Sequence, residues 1–159
     1  MNADSEPLLI FLHLAWAAGR RRRPLDRCRM LLLAADEALH LGMLDIAEYC
    51  RLEMLRISPG HLVSRFQSFA EARRSEDLES LLRQLRRRYA RERAEQMLDR
   101  LGLDVAGGRG SYESDEEYAA GILGESLESL KAAVSRSPSR DDRHRQGDQG
   151  NRTRDDQED

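Results

Sequence analysis

The run Leu8-Leu9-Ile10-Phe11-Leu12-His13-Leu14-Ala15-Trp16-Ala17-Ala18 constrains this chain more than any other stretch. As a helix it is apolar on every side, His13 excepted. A helix without a polar face must be covered by neighbours on more than one side. Pro7 is a favoured first-turn residue, Asp4 and Ser5 are its cap candidates, and Gly19 is a natural stop. Eleven helical residues reach roughly 16 Å, too short for a hydrocarbon core of about 30 Å. A secretory signal needs basic residues before the apolar run. Here Asp4 and Glu6 precede it and Arg20–Arg23 follow. The expectation is a buried helix in a cytoplasmic protein with no membrane role.

The remainder of the 159 residues reads as helix as well. Ala, Leu, Arg and Glu dominate, aromatics make up 5%, and β-branched residues are scarce. Two cysteines, Cys28 and Cys50, cannot form a disulfide framework, so a reducing compartment is expected. Helix signals divide the chain. A second helix runs from Pro24 to Leu41, with Gly42 as its stop. A third spans Leu44 to about Arg56. Ser58-Pro59 signals a fourth, expected to continue to about Arg74. A helix follows from Leu78. Its stripe Leu78, Leu81, Leu82, Leu85 and Tyr89 lies roughly 150° from the stripe Ala90, Ala94, Met97, Leu98 and Leu101, so a break is predicted between Arg88 and Glu92.

A domain over 4–103 results. Residues 104–114, rich in glycine, read as a flexible linker. Residues 115–134 read as one amphipathic helix, opened by a Ser114–Glu117 capping box and carrying the stripe Tyr118, Ile122, Leu123, Leu127 and Leu130. That stripe is the one object in the chain suited to cover the free side of the first helix, and the competing cover is a homodimer. Residues 135–159 hold at most one apolar side chain and are expected to be a disordered charged tail. The fold class is therefore all-α: stacked antiparallel helical hairpins, either tetratricopeptide-like or an irregular helical bundle, with a disordered C-terminus.

The tetratricopeptide alternative comes from the hairpin 28–61. Its offset from the next hairpin is about 34 residues, the period of that repeat. Leu31, Ala34, Ala35 and Ala38 fall on the inner face of the first helix, Ala47 where the second helix crosses closely, and Pro59 at the closing proline. This hairpin resembles one tetratricopeptide unit. It departs at the large aromatic and the glycine of the first helix, and at Arg51. The second hairpin departs at Phe69, which is large where a small residue belongs. The resemblance implies a protein-binding scaffold. The stretch Met30–Arg51 is also similar to short helical proteins of bacteria, of the planctomycete type, a likeness that brings no activity with it.

Few residues suggest chemistry. Glu37 and His40 share a helix face as a Glu-x-x-His. A di-iron bundle needs two such motifs and two further carboxylates, and the chain holds one. Asp36 and His40 read more simply as a surface pair. Cys28 and Cys50 are offset by about 10 Å along neighbouring helices and read as small core residues. His13 reads as a buried, hydrogen-bonded histidine. Gly107–Gly110 follows no strand and precedes no Lys-Ser/Thr, so it is not a phosphate loop. No cofactor or metal is expected.

Charge is patterned more than the formal total of −3 suggests. Residues 20–24 carry +4, residues 61–100 carry +3, and residues 101–135 carry −5. Arg20, Arg21, Arg22 and Arg23 form one basic block, Arg86, Arg87, Arg88, Arg91 and Arg93 another. Both are candidates for an anionic partner. As a solvated surface, the first block would cap the end of helix 1, and the second would match the acidic stretch Glu113, Asp115, Glu116 and Glu117. Only Tyr89 interleaves these arginines, so base stacking is unsupported. The functional expectation is a non-enzymatic protein–protein interaction module with a protein partner. The alternatives are a nucleic-acid-associated protein using Arg20–Arg23 and Arg86–Arg93, and an enzyme or metal protein without a recognisable motif.

Overall fold

The computed structural model describes residues 2–137, and every described element is helix, 3-10 turn or loop. The apolar run becomes α1 (Glu6–Arg20), with Pro7 in its first turn. Ser5 holds the N-cap position without a capping bond from its side chain, which goes to the Asp115 carboxylate. Asn2 instead caps the preceding 3-10 turn Ala3–Ser5 by accepting from the Asp4 N–H at 3.2 Å. Helices α2 (Pro24–His40) and α3 (Leu44–Ile57) follow through short turns, and each packs on its predecessor. Leu31, Ala34, Ala35, Ala38 and Ala47 are all buried.

The expected fourth helix is mostly absent. Pro59-Gly60 turns the chain, a 3-10 turn spans Leu62–Arg65, and α4 (Phe69–Ala72) is a single turn. Two local causes are visible. Gly60 weakens any first helical turn. The guanidinium of Arg51, buried on α3, donates to the carbonyls of Phe66 and Gln67 at 3.2 and 3.0 Å, oxygens that a continuous helix would need for itself. Ser68 then starts α4 by accepting from the Glu71 N–H at 3.1 Å. A long helix 4 is therefore not a partner in the second hairpin. The helix from Leu78 is instead two segments, α5 (Glu76–Arg88) and α6 (Arg91–Leu101), split at Tyr89-Ala90 inside the predicted break, and they pack on different neighbours rather than on each other, so the expected second hairpin is not formed. Leu78, Leu82, Leu85 and Tyr89 are buried on one segment and Ala94 and Leu98 on the other. Helix α5 packs on α2, and α6 on α1.

Residues 104–114 are not a free linker. Val105 is buried, Arg109 holds Asp115 at 2.8 Å, and the Tyr112 ring stacks on Tyr118 at 5.2 Å between centroids. The glycines serve contact here. A Cβ on Gly108 would collide with the Tyr118 hydroxyl, and one on Gly121 with the Tyr112 hydroxyl. The single helix expected over 115–134 is two: α7 (Asp115–Ile122) and α8 (Leu127–Arg136). Gly124 at φ +86° ends the first, and Ser126 caps the second by accepting from the Ser129 N–H at 3.0 Å. Ser114 does cap α7, at 3.1 Å from the Glu117 N–H, but Glu117 returns to the N–H of Glu113 rather than of Ser114. Ser135 and Arg136 finish α8, so the helix outruns the expected boundary, and the rest of the expected tail lies outside the described residues.

Helix α1 is thus wrapped by α2, α6 and α7, while α3 carries α7 and α8. Leu8, Leu9, Ile10, Phe11, Leu12 and Leu14 are all buried. Each such side chain contributes about 1.5–3 kcal/mol relative to exposure. His13 is half-buried against α7, and its ring Nε2 lies 2.8 Å from the Tyr118 hydroxyl. That hydroxyl donates its one hydrogen to the Val105 carbonyl at 2.7 Å. The Nε2 must therefore carry a proton and donate. Trp16, 44% exposed, is the one bulky side chain of α1 left outside, beneath the Arg20 guanidinium at 5.7 Å.

Candidate functional site: an arginine-rimmed cleft

The end of α1 is closed mainly by backbone bonds. The Arg22 N–H bonds the Gly19 carbonyl at 3.2 Å and the Arg23 N–H the Ala18 carbonyl at 2.9 Å, with Arg22 at φ +57°. This paired pattern satisfies the terminal carbonyls. The Arg21 N–H takes Ala17 at 3.0 Å, and Arg27 reaches back to the Ala15 carbonyl at 2.9 Å. None of these bonds comes from the side chains of Arg20–Arg23. Arg20 lies over Trp16. Arg21, Arg22 and Arg23 are exposed and have no ion-pair partner among the described residues.

Beside this turn is a cleft of about 90 Å³. Its walls are Leu14, Ala17 and Ala18 of α1, Met30 of α2, Met97 and Leu101 of α6, and Tyr89 from the α5–α6 break. Arg21, Arg23 and Asp26 complete the lining, and Asp26 is held by Arg29 at 3.0 Å. The Arg88 guanidinium lies 5.2 Å from the centre of the Tyr89 ring. The break at Tyr89-Ala90 thus sets Tyr89, with Arg88 against its ring, in the wall that Arg21 and Arg23 also line.

The other block residues go elsewhere. Arg86 donates to Asp36 at 2.6 Å and to Glu37 at 2.8 Å. Arg87 is exposed without a described partner. Arg91 bridges Glu6 and Glu95, at 3.1 and 3.0 Å. Asp36, 1% exposed, also accepts from Arg73 Nε at 2.7 Å, and Arg73 reaches on to Glu79. Burial works against the charges of Arg73 and Arg86, yet their carboxylate bonds raise both pKa values above the ordinary arginine value. Asp36 is therefore no surface residue. His40 Nδ1 lies 2.7 Å from the Asp36 backbone carbonyl and 3.7 Å from the Asp36 carboxylate, so the expected pair is present, but only its histidine half is at the surface. The acidic stretch does not match α5 either. Asp115 holds Arg109 and the Asn2 N–H, and those bonds keep its carboxyl below the usual value despite burial. Sequence reasoning missed this buried network, because one Asp at a core-facing position among alanines was its only signal.

No described cluster gathers three or more metal-ligating side chains of His, Cys, Asp or Glu. Both cysteines are free and buried. Burial pushes the Cys50 thiol up to about 12 and raises that of Cys28, the wrong direction for a nucleophile. His61 accepts from the Val63 N–H of its own turn at 3.2 Å. A second hollow, about 280 Å³, lies between α7 and α8, with Glu117, Glu125 and Glu128 in its lining. No described helix is long and apolar enough to cross a membrane. No family model, curated protein or solved structure matches this chain, so the cleft is interpreted from its own residues.

Proposed function

We propose that this protein is a non-enzymatic protein–protein interaction module and that the cleft between α1, α2 and α6 holds its partner. One observation carries the reading: a formed apolar hollow lies beside arginines whose charges nothing in the described chain engages. An apolar centre with a charged, water-accessible rim is how protein interfaces are built. The α2–α3 hairpin serves as a single tetratricopeptide-like unit beneath it, and the burial of Ala47 at the expected small position supports that role. The two free, buried thiols support a reducing compartment such as the cytoplasm.

Recovery of the full chain from its own cells, with and without nuclease, tests the reading. A protein partner that survives nuclease and is lost with Arg21→Ala, Arg22→Ala and Arg23→Ala together is the expected result. The second reading, nucleic-acid binding, is favoured by the exposure of the same arginines and of Arg87. It requires affinity for duplex DNA to fall by about 0.9 log units per log salt for each phosphate contacted. Partners that disappear with nuclease would install it instead.

A further inference from the structure

We propose that the cleft takes an extended acidic segment bearing one aliphatic side chain, with leucine or isoleucine as the anchor. The inference rests on the cleft being a protein-binding site and adds the chemistry of what enters it.

Size selects the anchor. At about 90 Å³ the cleft is smaller than the cavity of about 150 Å³ that holds benzene. Its walls are mainly aliphatic and thioether side chains, and a four-carbon branched chain matches a hollow of that size. Met30 and Met97 give the walls some freedom to adjust around its shape. Charge selects the flanks. An extended peptide advances about 3.3 Å per residue and alternates its side chains. The residues two before and two after a seated anchor therefore face the protein beside the hollow, where Arg21 and Arg23 line the opening. A guanidinium offers a planar fork that matches a carboxylate with two parallel hydrogen bonds. Asp26 does not reverse the sign of the rim, since Arg29 already engages it. Arg88 over Tyr89 adds a further cation beside the cleft. A nucleic acid could neutralise the same arginines but carries no branched aliphatic chain for the hollow.

The test uses the full chain and a fluorescein-labelled peptide, Gly-Asp-Glu-Leu-Asp-Glu-Gly, followed by anisotropy. Replacing its leucine with alanine is expected to weaken binding about tenfold or more. Replacing its carboxylates with amides is expected to do the same. In the protein, Arg21→Ala with Arg23→Ala should weaken binding about tenfold through two lost charged contacts, at positions too exposed to endanger the fold. Ala18→Leu places a side chain in the hollow, and it should make the leucine and alanine peptides bind alike. Equal binding of the two peptides to the unaltered protein would overturn the anchor. A single-stranded RNA decamer that displaces the peptide and ignores Ala18→Leu would overturn the peptide in favour of nucleic acid. If no peptide binds while a nuclease-resistant partner still depends on Arg21–Arg23, this occupant is overturned and the interaction module stands. If that partner is absent too, both fall.

Discussion

Arg22 occupies a backbone position that three other helix ends of this chain give to glycine. Gly42, Gly102 and Gly124 sit at φ +75°, +68° and +86°, each with the same pair of bonds back into its helix. Arginine there brings a Cβ into a crowded region, at about 1–2 kcal/mol. Glycine would relieve that but lose more freedom on folding, about 0.5–1 kcal/mol. Arg22→Gly should therefore stabilise the protein by about 0.5–1 kcal/mol, seen as a higher urea midpoint at unchanged slope. If the arginines bind acidic segments, the same variant should bind the labelled peptide more weakly. A destabilised Arg22→Gly would show that the side chain makes a stabilising contact. Asp36 is the opposite case, a charge that stabilises by being fully matched. Asp36→Asn leaves Arg73 and Arg86 facing a neutral amide. Breaking a buried pair costs about 3–5 kcal/mol, and the partial exposure of both guanidinium groups lowers this to roughly 2–3 kcal/mol. Chemical denaturation measures it, and a loss below 0.5 kcal/mol, within the ordinary range for surface substitutions, would show that water replaces the carboxylate freely.

At the scale of elements, legibility followed from how local each determinant is. Pro7, Pro24, Gly42 and Gly102 act on their own turns, so the bounds of α1, α2, α3 and α6 could be read from them. The α5–α6 break was legible because two stripes roughly 150° apart cannot serve one core on one straight helix. The segment after Ser58 was not legible. Gly60 was a local hint, but what takes the carbonyls of Phe66 and Gln67 is Arg51, on another helix, and no pattern within 58–68 announces that. The glycines of 104–114 misled for a related reason. Composition reports freedom in the unfolded chain, while Gly108 and Gly121 are small because tyrosines lie against them. The cleft was half legible: its arginines were visible, its apolar walls from three helices were not.

The contact between α1 and α7 titrates. Burial lowers the pKa of His13 from 6.5, with the Asp104 charge acting weakly the other way. The unfolded chain therefore binds the proton first, so the contribution of His13 is fully present above the unfolded value of 6.5 and is lost as pH falls below it. His61 is lowered by burial too and adds to the same slope. Urea midpoints at pH 7.5 and 5.5 should show the decline, and His13→Gln should reduce it while retaining a donor for Tyr118. An equal slope in His13→Gln would assign the whole effect to His61 or the carboxylates.

For the whole molecule, α7 and α8 are part of the core and not an appendage. Removing residues 104–159 should bare the faces of α1 and α3 beneath them, visible as strong binding of a hydrophobic dye and as dimers or larger species on sizing. A truncated chain that remains monomeric and dye-negative would mean that α2 and α6 suffice to enclose α1. The arrangement also sets an order of events during synthesis. Tyr118 bonds a histidine 105 residues earlier, so the first helix made is among the last to be enclosed. At about 5–20 residues per second, roughly 5–20 s separate the emergence of the two from the ribosome. Through that interval the most water-averse stretch of the chain waits without its lid. Its nascent form is a natural client for whatever holds unfinished proteins apart, and its folding rate should be governed by that one distant closure rather than by its fast local hairpins.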